Sequence, residues 1–286
     1  MNVATAPSIT HDRVELKFKV SAANAGTFAR GLAAHVAEHR FEGEGANRLP
    51  RARHYVTTVY FDTPSLDLYR AVRSSEENLK VRAREYYDVH PELLELATHA
   101  NQVVRYSPVL WVEVKGKHQG RTYKRRIGIP KSDVSAFFER GEVSEAMHAL
   151  QVSQRGNKAD DVIAELLDLR TRYEQALRPS CIVNYRRTAF QNRAGTVRIT
   201  LDQRLACFAP QDELLTRPKP LLREYLGRAR YEEPAFILEV KLTGEMPAWL
   251  DELMQAARAE QFAFSKFVTA SESVYDCAHV GAPPRT

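Results

Sequence analysis

The sequence predicts an α+β fold in which about eight antiparallel strands close into a β-barrel tunnel, with a polar, basic lumen and helices packed outside. Three observations predict it. Segment after segment alternates with period two. The alternation sets aliphatic residues on one face against Lys and Arg on the other. Helical stretches with an apolar stripe lie between these segments, suited to cover the aliphatic face.

The strands come in order. Val14, Leu16 and Phe18 alternate with Arg13, Glu15, Lys17 and Lys19. Leu79, Val81 and Ala83 alternate with Lys80, Arg82, Arg84 and Tyr86. Leu110, Val112 and Val114 oppose Trp111, Glu113, Lys115 and Lys117; a turn at Gly120 leads to Ile127 and Ile129, opposed by Lys124 and Arg126. Ile182 opposes Tyr185 and Arg187, although Asn184 and Arg186 blur the pattern. Val197, Ile199 and Leu201 oppose Arg198, Thr200 and Asp202, and Phe236, Leu238, Val240 and Leu242 oppose Ile237, Glu239, Lys241 and Thr243. One such strand is ordinary for an antiparallel sheet with a wet face. Seven whose polar face is dominated by cations are not, because like charges at ~4 Å repel by about 4 kcal/mol at an effective dielectric near 20. A concave face of this kind is stable when a polyanion binds it.

The helices have start signals. Ser21 is a predicted N-cap for a helix running towards His39, and Pro64, Ser132, Asp160, Pro247 and Ser265 open further stretches. Asp88–Pro108 and Pro210–Pro220 read as loops, and 278–286 as a disordered tail. No repeat or linker divides the 286 residues, so one domain is expected, its core over about 10–277.

Composition narrows the function. Charged residues make up 27% of the chain and the net charge is +5, which favours an anionic partner. No run of about 18 apolar residues predicts a membrane span, and Met1–Asp12 lacks a signal-peptide core. The widely spaced Cys181, Cys207 and Cys277 indicate neither a disulfide framework nor a zinc site, and a cytoplasmic location is expected. His35-Val-Ala-Glu38-His39 spells an inverted zinc-peptidase pattern, but no third ligand accompanies it. Gly116–Thr122 lacks the phosphate-loop signature. Nucleic-acid binding is not expected, because the cations alternate inside strands rather than forming an exposed patch.

The ordered motifs RVELKFKV (13–20), TTVYFDTPSLDLYR (57–70), LKVRAREYY (79–87), WVEVKGKHQGRTYKRR (111–126), NYRRTAF (184–190), VRITLDQRL (197–205), FILEVKLTGEMPAWL (236–250) and FSKF (264–267) resemble the triphosphate tunnel metalloenzyme (CYTH) superfamily. Within it the chain is most similar to the polyphosphate polymerase domain of the vacuolar transporter chaperone (VTC) type. The hydrolases and cyclases of that superfamily carry ExExK on the first strand; here Arg13 replaces the first Glu, which fits the polymerase branch. The resemblance implies transfer of the γ-phosphoryl of ATP to a polyphosphate chain. Hydrolysis of triphosphate or polyphosphate at the same site, and non-catalytic polyphosphate binding, are the alternatives. It implies Lys17, Arg82, Arg84, Arg198, Lys241 and Lys266 as catalytic phosphate-binding residues, and Lys115, Lys124, Arg126, Tyr185, Arg187 and Ser265 as substrate contacts. Mg²⁺ or Mn²⁺ would be held by Glu239 first, then Glu15 and Glu113, with Asp202 last.

Overall fold

In the computed structural model, residues 13–39, 53–74, 78–88, 105–106, 109–118, 121–153, 159–211, 214–215 and 221–276 are described. The expected loop at 88–108 lies mostly outside them, as do the turn at Gly120, the 278–286 tail and the side chain of Arg13. The strands are β1 (Arg13–Val20), β2 (Ala37–Glu38), β3 (Arg53–Asp62), β4 (Lys80–Asp88), β5 (Arg105–Tyr106), β6 (Val109–His118), β7 (Arg121–Pro130), β8 (Arg178–Gln191), β9 (Val197–Phe208), β10 (Tyr231–Glu232), β11 (Phe236–Thr243) and β12 (Glu260–Gln261). The helices are α1 (Ala22–Ala33), α2 (Asp67–Ser74), α3 (Val134–Arg140), α4 (Glu145–Ser153), α5 (Ala159–Tyr173), α6 (Ala248–Ala256) and α7 (Lys266–Tyr275).

The strands form one twelve-stranded antiparallel sheet with the path β12-β1-β11-β9-β8-β3-β4-β6-β7. This corrects the expected closed barrel of about eight strands. Among the described residues β1 pairs with β11 and β12, and no ladder joins it to β7, so the path has two ends. Closure needs edge strands in register, which a face pattern does not specify.

The sheet is nonetheless strongly curled. From β1 to β6 is six strand steps, roughly 29 Å in a flat sheet at about 4.8 Å per step. Yet Lys115 on β6 senses the charges of Glu15 and Lys17 on β1 and of Lys241 on β11. The two halves of the sheet therefore face each other across a groove.

Alternation sorts the faces as expected. One half of the outer face buries Phe18, Ile199, Leu238 and Val240 against Phe28 and Leu32 of α1 and Leu250 and Met254 of α6. The other half buries Val81, Val112, Val114 and Ile127 with Phe137 and Phe138 of α3 and Leu166 of α5. Strand β3 escaped the period-two reading because nine of its ten residues are buried, on both faces. Its outer face is partly polar: Asn184 donates to Thr57 and Tyr87, and Thr57 donates to the Leu221 carbonyl. Those bonds hold the segment after Leu221 on the sheet and explain the blur at Asn184; at 184–186 the β8–β9 register shifts through a bulge.

Not all helices pack outside, a second correction. Phe267 of α7 packs on Tyr60 at 5.0 Å, and Ser271 lies 3.6 Å from Cys181. Tyr60 is registered with Arg82 and with Cys181, on the charged face. Helix α7 therefore covers one end of the groove. At the other extreme, α1 stops at Ala33 rather than near His39, so His35 and His39 do not share a helix face. His35 instead stacks on Trp249 at 4.5 Å.

Candidate functional site

The registers carry one face continuously around the groove. Glu15 and Lys17 pair with Lys241 and Glu239; Glu239 and Lys241 pair with Thr200 and Arg198; Asp202 pairs with Arg187. Across the centre, Thr58 and Tyr60 pair with Arg84 and Arg82, which continue to Trp111 and Glu113, and then to Arg126. Directly opposed residues in an antiparallel pair share a face, so the expected cations and carboxylates share one surface.

Two buried carboxylates organise it. Glu113 has 0% side-chain exposure; its Oε2 accepts from Arg82 Nε and lies 3.4 Å from Arg84, and its Oε1 is 2.6 Å from Lys124 Nζ. Burial alone would raise its pKa; Arg84, Arg82 and Lys124 outweigh burial and hold it well below the ordinary range. Asp202, also 0% exposed, takes a bidentate contact from Arg187 at 2.6 and 2.7 Å and a third from Lys266 at 2.8 Å. Burial opposes its ionisation too, and Arg187 and Lys266 keep it charged. These carboxylates fix the Arg forks and point them into the groove.

Two more carboxylates sit nearer the open edge. Lys241 Nζ lies 3.5 Å from Glu15 Oε2 and is paired with Glu239 Oε1. Lys17 Nζ lies 3.4 Å from Glu15 and donates to the Phe264 carbonyl at 2.9 Å. Glu239 is held ionised against burial by Lys241, Arg187 and Lys266.

The other expected residues fall as follows. Tyr185 is fully buried with Lys266 and Arg187 above its ring at 5.0 and 5.1 Å, and its hydroxyl has no hydrogen-bond partner among the described residues. Arg126 stacks on Trp111 at 4.5 Å. Ser265 is the N-cap of α7, its Oγ accepting from Val268 N at 3.4 Å. Lys19 turns to Glu233 at 3.1 Å. Arg198 pairs with Lys241 and Gln191 across its two neighbours.

Sequence reasoning missed Thr58, Tyr60 and Lys80 as site residues. Thr58 is buried with a hydroxyl that has no partner among the described residues, as is Thr200. The β3 motif at 57–70 contained Thr58 and Tyr60; reading that motif as a strand would have found both.

The sequence matches the VTC domain over residues 12–275. The chain belongs to the VTC domain family. Membership makes it part of a polyphosphate-related enzyme family of phosphotransferase type, and none of its described helices is long and apolar enough to cross a membrane. No curated protein matches. Among solved structures it is similar to a candidate adenylate cyclase from Bacillus halodurans, with 14% identity, TM-score 0.44, and 89% of this chain and 94% of that one covered. It is also similar to a protein from Pyrococcus horikoshii OT3, with 11% identity, TM-score 0.38, and 91% and 99% covered. At TM-scores below 0.5 neither likeness bears on activity.

Proposed function

We propose that this VTC-family protein is an ATP-dependent polyphosphate polymerase. The observation that supports it is the continuous cationic face of the curled sheet, with arginines preset by Glu113 and Asp202 and hydroxyls at Thr58, Tyr185 and Thr200 without partners among the described residues. An extended polyanion satisfies such a surface along its length. In the reaction, a terminal oxygen of the polyphosphate attacks the γ-phosphorus of ATP. The bond from that phosphorus to the β,γ-bridging oxygen breaks, and ADP leaves. The protein's part is in-line positioning and charge stabilisation. Arg82, Arg84, Arg187 and Lys266 are held for that role before substrate arrives, so little reorganisation is needed. Arg13 in place of an acidic residue on β1 favours chain extension over hydrolysis.

A divalent metal fits at Glu239 and Glu15. Both oxygens of Glu113 are engaged by cations, and Asp202 is saturated by Arg187 and Lys266. Glu15 and Glu239 instead share the Lys241 ammonium, which supports a cation position between them. Among the described residues no three His, Cys, Asp or Glu gather as a complete metal cage, so substrate phosphate oxygens would complete the shell, as is usual for Mg²⁺ and Mn²⁺. When bound, the metal supplies charge neutralisation to the transferring phosphoryl group.

Incubating the purified protein with ATP and Mn²⁺ tests the proposal. Long-chain polyphosphate with matching ADP supports it. Free phosphate without polymer supports the hydrolase, and tripolyphosphate binding without any turnover supports a binding module.

A further inference from the structure

Most cations on the groove face have a carboxylate at ion-pair distance: Arg82, Arg84 and Lys124 on Glu113, Arg187 and Lys266 on Asp202, Lys241 on Glu239. Lys80 and Lys115 have none among the described residues. They are registered directly opposite each other on β4 and β6, where like charges destabilise a sheet. The charges that face Lys80 are Lys115 from β6, Lys17 and Glu15 from β1, and Arg82 on its own strand. Three lysines thus converge from three strands, and the carboxylate that bears on Lys80 among the described residues is Glu15, already shared by Lys17 and Lys241.

We propose that Lys80, with Lys115 and Lys17, forms a phosphate subsite whose counter-charge is the ligand itself. The proposal rests on the polyphosphate reading and assigns Lys80 to that site. It explains why the fold keeps an uncompensated cation pair: a bound condensed phosphate turns the repulsion into attraction. Burial, followed by Lys115, Lys17 and Arg82, lowers the Lys80 pKa to about 8, against a smaller opposing effect of Glu15. A polyanion at the subsite favours the charged ammonium, so binding near pH 8 draws in protons.

The test is calorimetric titration of tripolyphosphate at pH 8 in two buffers of different ionisation enthalpy, using wild type, Lys80→Met and Lys80→Arg. Wild type should take up protons on binding, with roughly half a proton from Lys80 where pH equals its pKa. Lys80→Met should weaken binding about tenfold, equivalent to ~1.4 kcal/mol, and take up fewer protons. Lys80→Arg should keep most of the affinity and lose the same share of proton uptake, because a guanidinium does not titrate there. Lys80→Met, which removes the repulsion with Lys115, should melt no lower than wild type without ligand. Affinity and proton uptake unchanged in Lys80→Met, or cooperative destabilisation of it, would overturn the subsite while leaving the polyphosphate reading intact. If wild type binds no tripolyphosphate, that reading fails as well.

Discussion

Glu113→Gln is the perturbation that separates a preset cation cluster from an ordinary surface. Glu113 has no solvent exposure and is the carboxylate that balances Arg82, Arg84 and Lys124 among the described residues. Gln keeps the shape and two polar atoms but removes the charge, leaving Arg82 and Arg84 facing each other in a poorly solvated site with the more exposed Lys124 beside them. Breaking a buried ion pair in this way costs about 3–5 kcal/mol. In a chain of this size about 2 °C of melting temperature is lost per kcal/mol, so a fall of roughly 6–10 °C is expected. The pH dependence has a definite sign. A carboxyl held ionised below its ordinary range stabilises the fold at neutral pH, and that contribution fades as pH falls through and below the ordinary carboxylate range. Wild type should therefore lose stability on acidification more steeply than the variant. Tripolyphosphate should restore part of the variant's stability, because its phosphates replace the missing negative charge. Thermal denaturation from pH 3 to pH 8, with and without tripolyphosphate, measures all three effects. A variant as stable as wild type at pH 7 would refute the view that Glu113 organises the cluster.

Further expectations concern the remaining groups. Glu239→Gln should still bind tripolyphosphate while metal-dependent ADP release falls by at least about 100-fold; retained turnover would move the metal role to Glu15. Lys241→Ala frees the two carboxylates that share its ammonium, so Mn²⁺ should raise its melting temperature more than that of wild type; equal shifts would argue against a cation site there. Tyr185→Phe removes a buried hydroxyl that has no partner among the described residues. Its ligand-free stability should be unchanged or higher by about 1 kcal/mol, with tripolyphosphate affinity reduced in calorimetry; a stability loss would reveal a structural bond.

What the sequence made legible was whatever a local period encodes. The alternation at Val14–Lys19, Leu79–Tyr86 and Phe236–Thr243 marked strands and told which side chains share a face. Ser21 and Ser265 are N-caps as read from their positions. Strand β3 was invisible to the same method because burial on both faces erases period two. The open path from β12 to β7 and the placement of α7 over Tyr60 and Cys181 depend on contacts far apart in sequence, which no local pattern records. At the site, the cations were legible one by one, but their partners were not. Arg82 and Glu113 are 31 residues apart, and only the β4–β6 register sets them opposite each other.

That difference changes the electrostatic argument. A row of cations on one face suggests a surface that resists folding until ligand arrives. The structure instead divides the row in two. Arg82, Arg84, Arg187, Lys124 and Lys266 are tied to Glu113 and Asp202, which stabilise the free protein and orient the guanidinium and ammonium groups. Their cost of desolvation is met within the fold, and their directions are fixed before substrate binds. Lys80 and Lys115 are left unbalanced, and there a condensed phosphate has most to gain. Removing a carboxylate and removing a cation should therefore act with opposite signs on ligand-free stability: Glu113→Gln destabilises, and Lys80→Met does not. A protein whose groove were a plain solvated face would show neither effect, because exposed charges contribute between about 0 and 1 kcal/mol each and are screened by salt.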